Sequence, residues 1–295
     1  MRKRLILESK GILCGIDAEG RTVDEIRNDN FTFHCIPDAT IVVDKEPEII
    51  VVQRSGLDKL VSVNYPSCEF SKELSARDIV TIGEYLLERR RQEINGQYGL
   101  SSATASYNGK AVTFFGGATN LGKTSSMLEL VKSYGYNFVS DEKTLVNLEK
   151  RVIAGGSRTI PARKDIIRDK VGAKSNDDFA SLKTELGEQQ AALFMYPHID
   201  HGLDKPIFYQ FQPLDFYWLL IKELSSEIRG AIRLVNNFAY QLPSIDTDSL
   251  SQLRLQRTRL FTENVPCFYF QGSVEQIAKF SDRIVRGKYA KKKCR

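Results

Sequence analysis

Gly117-Ala118-Thr119-Asn120-Leu121-Gly122-Lys123-Thr124 is the stretch on which the reading of this sequence turns. It fits the pattern G-x-x-x-x-G-K-[ST], and physical chemistry gives each residue type in that pattern a job. Glycines let successive backbone N–H groups turn inward and form a nest for phosphate oxygens. A helix starting at Lys123 aims the positive end of its dipole at the same anion. Lys123 brings a full charge to the outer phosphates, and the Thr124 hydroxyl suits a magnesium ion. The candidate nucleotide-binding residues are therefore Gly117, Ala118, Thr119, Asn120, Leu121, Gly122, Lys123, Thr124 and Ser125. The flanks agree with this reading. Val112-Thr113-Phe114-Phe115 is an apolar strand before the loop, and a helix from Lys123 to about Tyr134 follows it, stopped by Gly135. Met127, Leu128, Val131 and Tyr134 make its expected buried stripe.

A loop of this kind also needs an acid to hold the metal. Phe138-Val139-Ser140-Asp141-Glu142 supplies one at the end of a strand, eighteen residues after Lys123. Thr124 and Asp141 are the expected metal pair. Two adjacent carboxylates can divide labour, one holding Mg²⁺ and the other accepting a hydroxyl proton; a plain charged turn with Glu142 in solvent is the competing reading.

Working outward, Asn108-Gly109 between Ala103–Tyr107 and Lys110–Phe115 is the strongest hairpin signal in the chain. Tyr136–Ser140 reads as a strand, and Lys143–Leu148 with Arg151–Ala154 as a hairpin turning at Glu149-Lys150. Upstream, Leu5–Glu8, Phe31–Cys35, Ala39–Val43 and Glu48–Gln53 read as strands, Phe31–Cys35 because its apolar positions alternate. Ser75-Ala76-Arg77-Asp78 is a capping box opening a helix with Ile79, Ile82, Leu86, Leu87 and Ile94 on one face. Arg89-Arg90-Arg91 on that helix reads as a solvated patch, and Asn95-Gly96 ends it. Downstream, residues 172–190 read as an exposed loop or surface helix, and Phe208–Leu220, with Trp218, as core. Cys267–Phe270 reads as a strand, and Ser273 with Gln276 as a second capping box for a helix burying Ile277, Phe280 and Ile284. A boundary near residue 98 divides a strand-rich region (1–98) from a loop-bearing domain (99–285) and a basic tail (286–295).

Composition narrows the class. The chain has 295 residues, 42% hydrophobic and 27% charged, enough to bury a core. No run of about eighteen apolar residues is present, so neither a membrane-spanning helix nor a membrane partner is expected. The short apolar run after Met1-Arg2-Lys3-Arg4 predicts no secretory leader. Five scattered cysteines without a CxxC pair predict reduced thiols, a cytoplasmic setting and no zinc finger. The net charge of +5 resides in the tail: residues 283–295 hold seven basic groups, and without them 35 basic groups face 37 acidic ones. Such a tail is a solvated end or a contact for a polyanion. His198-Ile199-Asp200-His201, bracketed by Pro197 and Gly202, reads as a loop that could set acceptor choice rather than a metal site. His34-Cys35 reads as strand packing.

Together, Asn108-Gly109-Lys110-Ala111-Val112, the glycine-rich loop and the Phe138–Glu142 acid pair resemble the HPr kinase/phosphorylase and phosphoenolpyruvate carboxykinase group. The resemblance continues through Ala154-Gly155-Gly156-Ser157-Arg158-Thr159-Ile160-Pro161 and, more loosely, Val265-Pro266-Cys267-Phe268-Tyr269-Phe270. It covers about residues 99–285. It implies a mixed α/β fold, with a twisted mixed sheet of the phosphoenolpyruvate-carboxykinase-like type, and a strand-rich part before it. It also implies ATP and Mg²⁺ as cofactors and a serine-like hydroxyl acceptor on a protein, peptide or small molecule. Asp141 or Glu142 is then the base, with Lys123, and Arg158 or Arg163, neutralising charge on the moving phosphoryl group. Two positions depart from the family pattern: Ser101-Ser102 stand where many relatives have a histidine, and Glu142 where the bacterial protein kinases have aspartate. The residues leave two other readings open, a nucleotide-binding regulatory module without transfer and a kinase of RNA or another polyanion using the tail. A homo-oligomer is compatible with all three.

Overall fold

The computed structural model describes residues 1–118, 120–161, 179–181, 185, 187–230 and 240–287. The fold is mixed α/β, with two mixed sheets and seven helices among the described residues. The chain divides into two compact units. Unit 1 comprises Met1–Gly99, Gly156–Leu182 and Leu224–Gln252, and unit 2 comprises Leu100–Gly155, Lys183–Glu223 and Leu253–Arg295. The first crossing falls beside the expected boundary near residue 98, but residues 99–285 do not stay in one unit. Local composition treats a chain as contiguous blocks; it gives no sign that Ile228, Leu242, Ile245 and Leu250 return to the core of unit 1.

Unit 1 opens with β1 (Arg2–Ser9), β2 (Ile12–Glu19), α1 (Gly20–Asn28), α2 (Asn30–Cys35), β3 (Thr40–Val42), β4 (Ile49–Arg54), β5 (Val61–Asn64), β6 (Ser67–Ser71) and α3 (Ala76–Ile94). Its sheet runs β3-β1-β2-β4-β6-β5, with β2, β4 and β6 mutually parallel and the outer pairings antiparallel. Three of the four expected strands are present as β1, β3 and β4. The fourth, Phe31–Cys35, is helical. The Asp29 side chain accepts from Phe31 N at 2.8 Å and caps the turn. Thr32 and His34, not the phenylalanines, are the buried members, and His34 Nδ1 lies 3.3 Å from Thr159 O. Five alternating residues are too few to separate the two periods.

α3 opens with the expected capping box: Ser75 Oγ accepts from Asp78 N at 3.1 Å, and Asp78 Oδ2 accepts from Ser75 N at 3.2 Å. Ile79, Ile82, Leu86 and Leu87 are buried, whereas Ile94 is exposed at the last turn. The arginine triplet splits. Arg89 lies over the Tyr65 ring and Arg90 pairs with Glu48. Arg91 is fully buried, donating to Glu84, to Glu88 at 2.8 Å and to Ser9 Oγ at 2.9 Å. Glu88 also accepts from Gly99 N at 2.8 Å. Burial alone would lower the Arg91 pKa, but Glu84 and Glu88 outweigh it and raise it. A basic triplet on a helix therefore concealed one internal ion site.

β7 (Gln97–Tyr107) carries the chain into unit 2 and is followed by β8 (Lys110–Phe115), α4 (Lys123–Tyr134), β9 (Asn137–Ser140), β10 (Lys143–Asn147) and β11 (Val152–Gly156). The β7–β8 hairpin turns at Asn108 and Gly109, with φ of 49° and 76°, as the two-residue turn requires. β12 (Thr159–Pro161) pairs with β13 (Phe179–Ser181) in unit 1. Thus 172–190, read as loop or helix, holds β13 and the first residues of β14 (Gln189–Ile199) where it is described. β15 (Ile207–Gln210), α5 (Pro213–Ser226), α6 (Asp248–Asn264), β16 (Cys267–Gly272) and α7 (Val274–Val285) complete the chain.

The second sheet runs β11-β10-β7-β8-β14-β16-β15, with β9 on β7. β11 also pairs with β14, closing β11, β10, β7, β8 and β14 into a five-strand circuit. β8, β14 and β16 are mutually parallel, so their carboxyl ends at Phe115, Ile199 and Gly272 lie on one side of the sheet. The carboxyl ends of parallel strands are where α/β folds, open or closed, place ligands. One sheet face buries Phe115 and Phe194 against Phe216 of α5 and Phe261 of α6. On the other, Phe268 and Phe270 meet Phe280 of α7. Trp218, expected in the core, is 62% exposed; Phe216, two positions earlier, takes the buried place. In α4, Met127 and Leu130 are buried, while Leu128, Val131 and Tyr134 are half-buried. The Ser273–Gln276 capping box forms, with Ile277 and Phe280 buried and Ile284 half-buried. Arg286, assigned to the tail by charge, pairs with Asp282 and donates to Tyr134 O at 2.6 Å.

Candidate functional site

β8 ends at Phe115 and the chain bends sharply. Gly116 (φ 135°), Asn120 (φ 64°) and Gly122 (φ 92°) take backbone conformations open to glycine and tolerated by asparagine. At two glycines the space is also taken: a Cβ on Gly116 would stand 2.9 Å from the Tyr196 ring, and one on Gly122 would stand 2.1 Å from Ile199 Cδ1. Tyr196 and Ile199 lie near the carboxyl end of β14, so the strand next to β8 forms the bed of the loop. Gly122 caps α4, whose first residues are Lys123 and Thr124.

Lys123 folds back along the loop, donating to Gly116 O at 2.6 Å and Ala118 O at 2.9 Å. Burial lowers its pKa, opposed by the nearby carboxylates of Glu142, Glu223 and Asp141. The Thr124 hydroxyl donates to Asp141 Oδ1 at 2.8 Å. The two residues read from sequence as a metal pair are thus in direct contact, and Asp141 is buried. Glu142 follows at φ 64° with an exposed side chain, while Lys143 N reaches back to Asp141 O at 2.8 Å. This tight i to i+2 turn sends the adjacent acids into different surroundings, one buried and one exposed.

A cluster of hydroxyls holds that turn in place. Thr144 Oγ1 meets Ser102 Oγ at 2.7 Å, Thr104 Oγ1 at 3.0 Å and Ser140 Oγ at 2.7 Å, and Thr104 continues to Thr113 at 3.1 Å. All five are buried. Ser102, where the resembled family often has a histidine, serves this internal network and ties β7 to β10, with Leu100 O at 3.0 Å as the alternative acceptor for its one proton.

Several sequence-level candidates stand elsewhere. Arg158 belongs to unit 1, where its guanidinium is held by Asp38 at 2.6 Å. Arg163 and Thr119 lie outside the described residues, as do residues 288–295 of the tail. His198, expected in a loop, is part of β14, 3.4 Å from the Tyr269 hydroxyl. Asp200 accepts from Gln271 and from Gly202 N, both at 2.9 Å, and these bonds lower its pKa. Among the described residues no group of three or more His, Cys, Asp or Glu side chains is gathered for a metal. None of them forms a helix long and apolar enough to cross a membrane.

Sequence reasoning missed Glu223 of α5. Its Oε1 accepts from Gly117 N at 3.1 Å, and both carboxylate oxygens lie within 3 Å of the place a Gly117 Cβ would occupy. It is 106 residues away from that glycine and belongs to no motif, so no local signal could have found it.

No protein-family model matches the chain, and no curated protein matches it significantly.

Proposed function

We propose that unit 2 binds ATP with Mg²⁺ and transfers the terminal phosphoryl group to a hydroxyl acceptor, as the likeness to the HPr kinase and phosphoenolpyruvate carboxykinase group suggests. The observation that carries this reading is the 2.8 Å contact between Thr124, at the start of the loop-borne helix, and Asp141, at the end of β9. The loop and the acid, seventeen residues apart in sequence, are thereby in direct contact.

The donor set fits Mg²⁺. Thr124 and Asp141 present hard oxygens, and this ion commonly takes one or two protein carboxylates, with substrate phosphates and water filling the rest. When bound, it would supply charge that neutralises the phosphate oxygens. The chain's own residues do the remainder. Backbone N–H groups and the α4 dipole grip the phosphates, and Lys123 exchanges its two carbonyl partners for phosphate oxygens. Of the two candidate bases, Asp141 is buried on Thr124 and Glu142 is exposed, which favours Glu142 as the acid that takes the acceptor's proton. The acceptor oxygen then forms its bond to phosphorus as the bridging P–O bond to ADP breaks. Positioning and charge stabilisation supply most of the rate.

The test is Lys123→Ala with labelled ATP, Mg²⁺ and a cell extract as the source of acceptors. Loss of an electrostatic donor of this kind costs about 3 kcal/mol of barrier, roughly a hundredfold in rate. Transfer that survives the substitution refutes the assignment. Tight ATP binding without transfer to any acceptor would make the protein a nucleotide-binding regulatory module instead.

A further inference from the structure

The glycine-rich loop already carries an anion of its own. Gly117 N donates to Glu223 Oε1 at 3.1 Å. The neighbouring carbonyls, Gly116 O and Ala118 O, hold the Lys123 ammonium at 2.6 and 2.9 Å. The ammonium and the carboxylate therefore share the first three residues of the loop. In loops of this pattern the lysine serves the outer phosphates, so Lys123 marks the terminal-phosphate end. Glu223 holds an amide at that same end. We propose that the Glu223 carboxylate occupies the terminal-phosphate position of the loop and is displaced by the third phosphate of a nucleoside triphosphate. It thereby sets the balance between triphosphate and diphosphate. This inference rests on the nucleotide reading above.

The physics is a competition between anions. A phosphate oxygen and a carboxylate cannot share one N–H without strong repulsion. Diphosphate leaves the outer end of the cradle to Glu223; triphosphate must move it. Glu223 is only half-buried on α5, so its carboxylate can meet water when it leaves the loop. The expected effect is that of one partly solvated charge interaction, roughly fivefold in affinity.

Glu223→Gln separates charge from shape, since the amide oxygen can still accept from Gly117 N. Dissociation constants for ATP and ADP are measured by calorimetry at fixed ionic strength, without metal and again with Mg²⁺. Asp215→Asn, exposed in the first turn of the same helix, changes net charge equally. In the metal-free arm, ATP is expected to bind roughly fivefold more tightly to Glu223→Gln than to the wild type, with ADP and the Asp215→Asn variant nearly unchanged. Unchanged or weaker ATP binding overturns the proposal and makes Glu223 a structural ligand of the loop. Equal gains for ATP and ADP overturn its placement at the terminal end, and an equal gain in Asp215→Asn overturns the contact itself. Absence of nucleotide binding in every variant, with and without Mg²⁺, sinks the underlying nucleotide reading as well.

Discussion

Replacing Thr144 by valine probes what holds Asp141 in place. The swap is nearly isosteric, so it removes a hydroxyl without opening a cavity. That hydroxyl meets Ser102, Thr104 and Ser140, which uses its one proton and both lone pairs. A buried hydrogen bond is worth about 1 kcal/mol net, and a buried polar atom left short of a partner is costlier. Ser102 keeps Leu100 O and Thr104 keeps Thr113, so the expected destabilisation is about 2–3 kcal/mol rather than more. Thr144→Ser keeps the hydroxyl and loses one buried methyl, about 1 kcal/mol. Urea unfolding followed by circular dichroism gives the stabilities, and amide exchange across residues 137–147 shows whether the loss is local. Valine is expected to cost more than serine and to accelerate exchange at Asp141 and Glu142. A valine variant within about 0.5 kcal/mol of wild type, or one no worse than serine, would refute the idea that this network fixes the acid.

Two further outcomes follow from the loop. Gly122→Ala combines a left-handed backbone, about 1 kcal/mol for a residue with a Cβ, with overpacking against Ile199, about 1–3 kcal/mol; equilibrium unfolding should show the loss, and a neutral substitution would contradict the close bed of β14. Lys123 has a folded pKa below its ordinary 10.5. In the window between the two values the unfolded chain holds the proton that the folded chain has released, so stability rises with pH there. Relative to Lys123→Met, the wild type should gain stability on approaching pH 10.5, read from urea midpoints at stepped pH; a flat or falling difference would refute the shift.

How much of this was legible depended on the range of the interactions. The Asn108-Gly109 hairpin, both capping boxes and the glycine stop at Gly135 are decided within a few residues, so sequence revealed them. The meeting of Thr124 with Asp141 was legible too, because loop, helix and returning strand form a short unit. Arg91 misled because burial beside Glu84 and Glu88 depends on what covers the helix, not on the triplet. Phe31–Cys35 misled because the Asp29 cap outweighed a weak alternation. Glu223 and the returning segments of unit 1 were invisible for one reason: their partners are more than a hundred positions away, and nothing local encodes that distance.

The β11–β14 pairing has a consequence for motion. A ribbon of strands joined end to end has no loose hem from which to unravel within that circuit; freeing any one member severs two ladders at once. β8 and β14, which floor the loop, both belong to it. Whatever rearrangement accompanies a ligand's arrival or departure must then be borne by side chains and by the connecting turns, over a platform that keeps its shape.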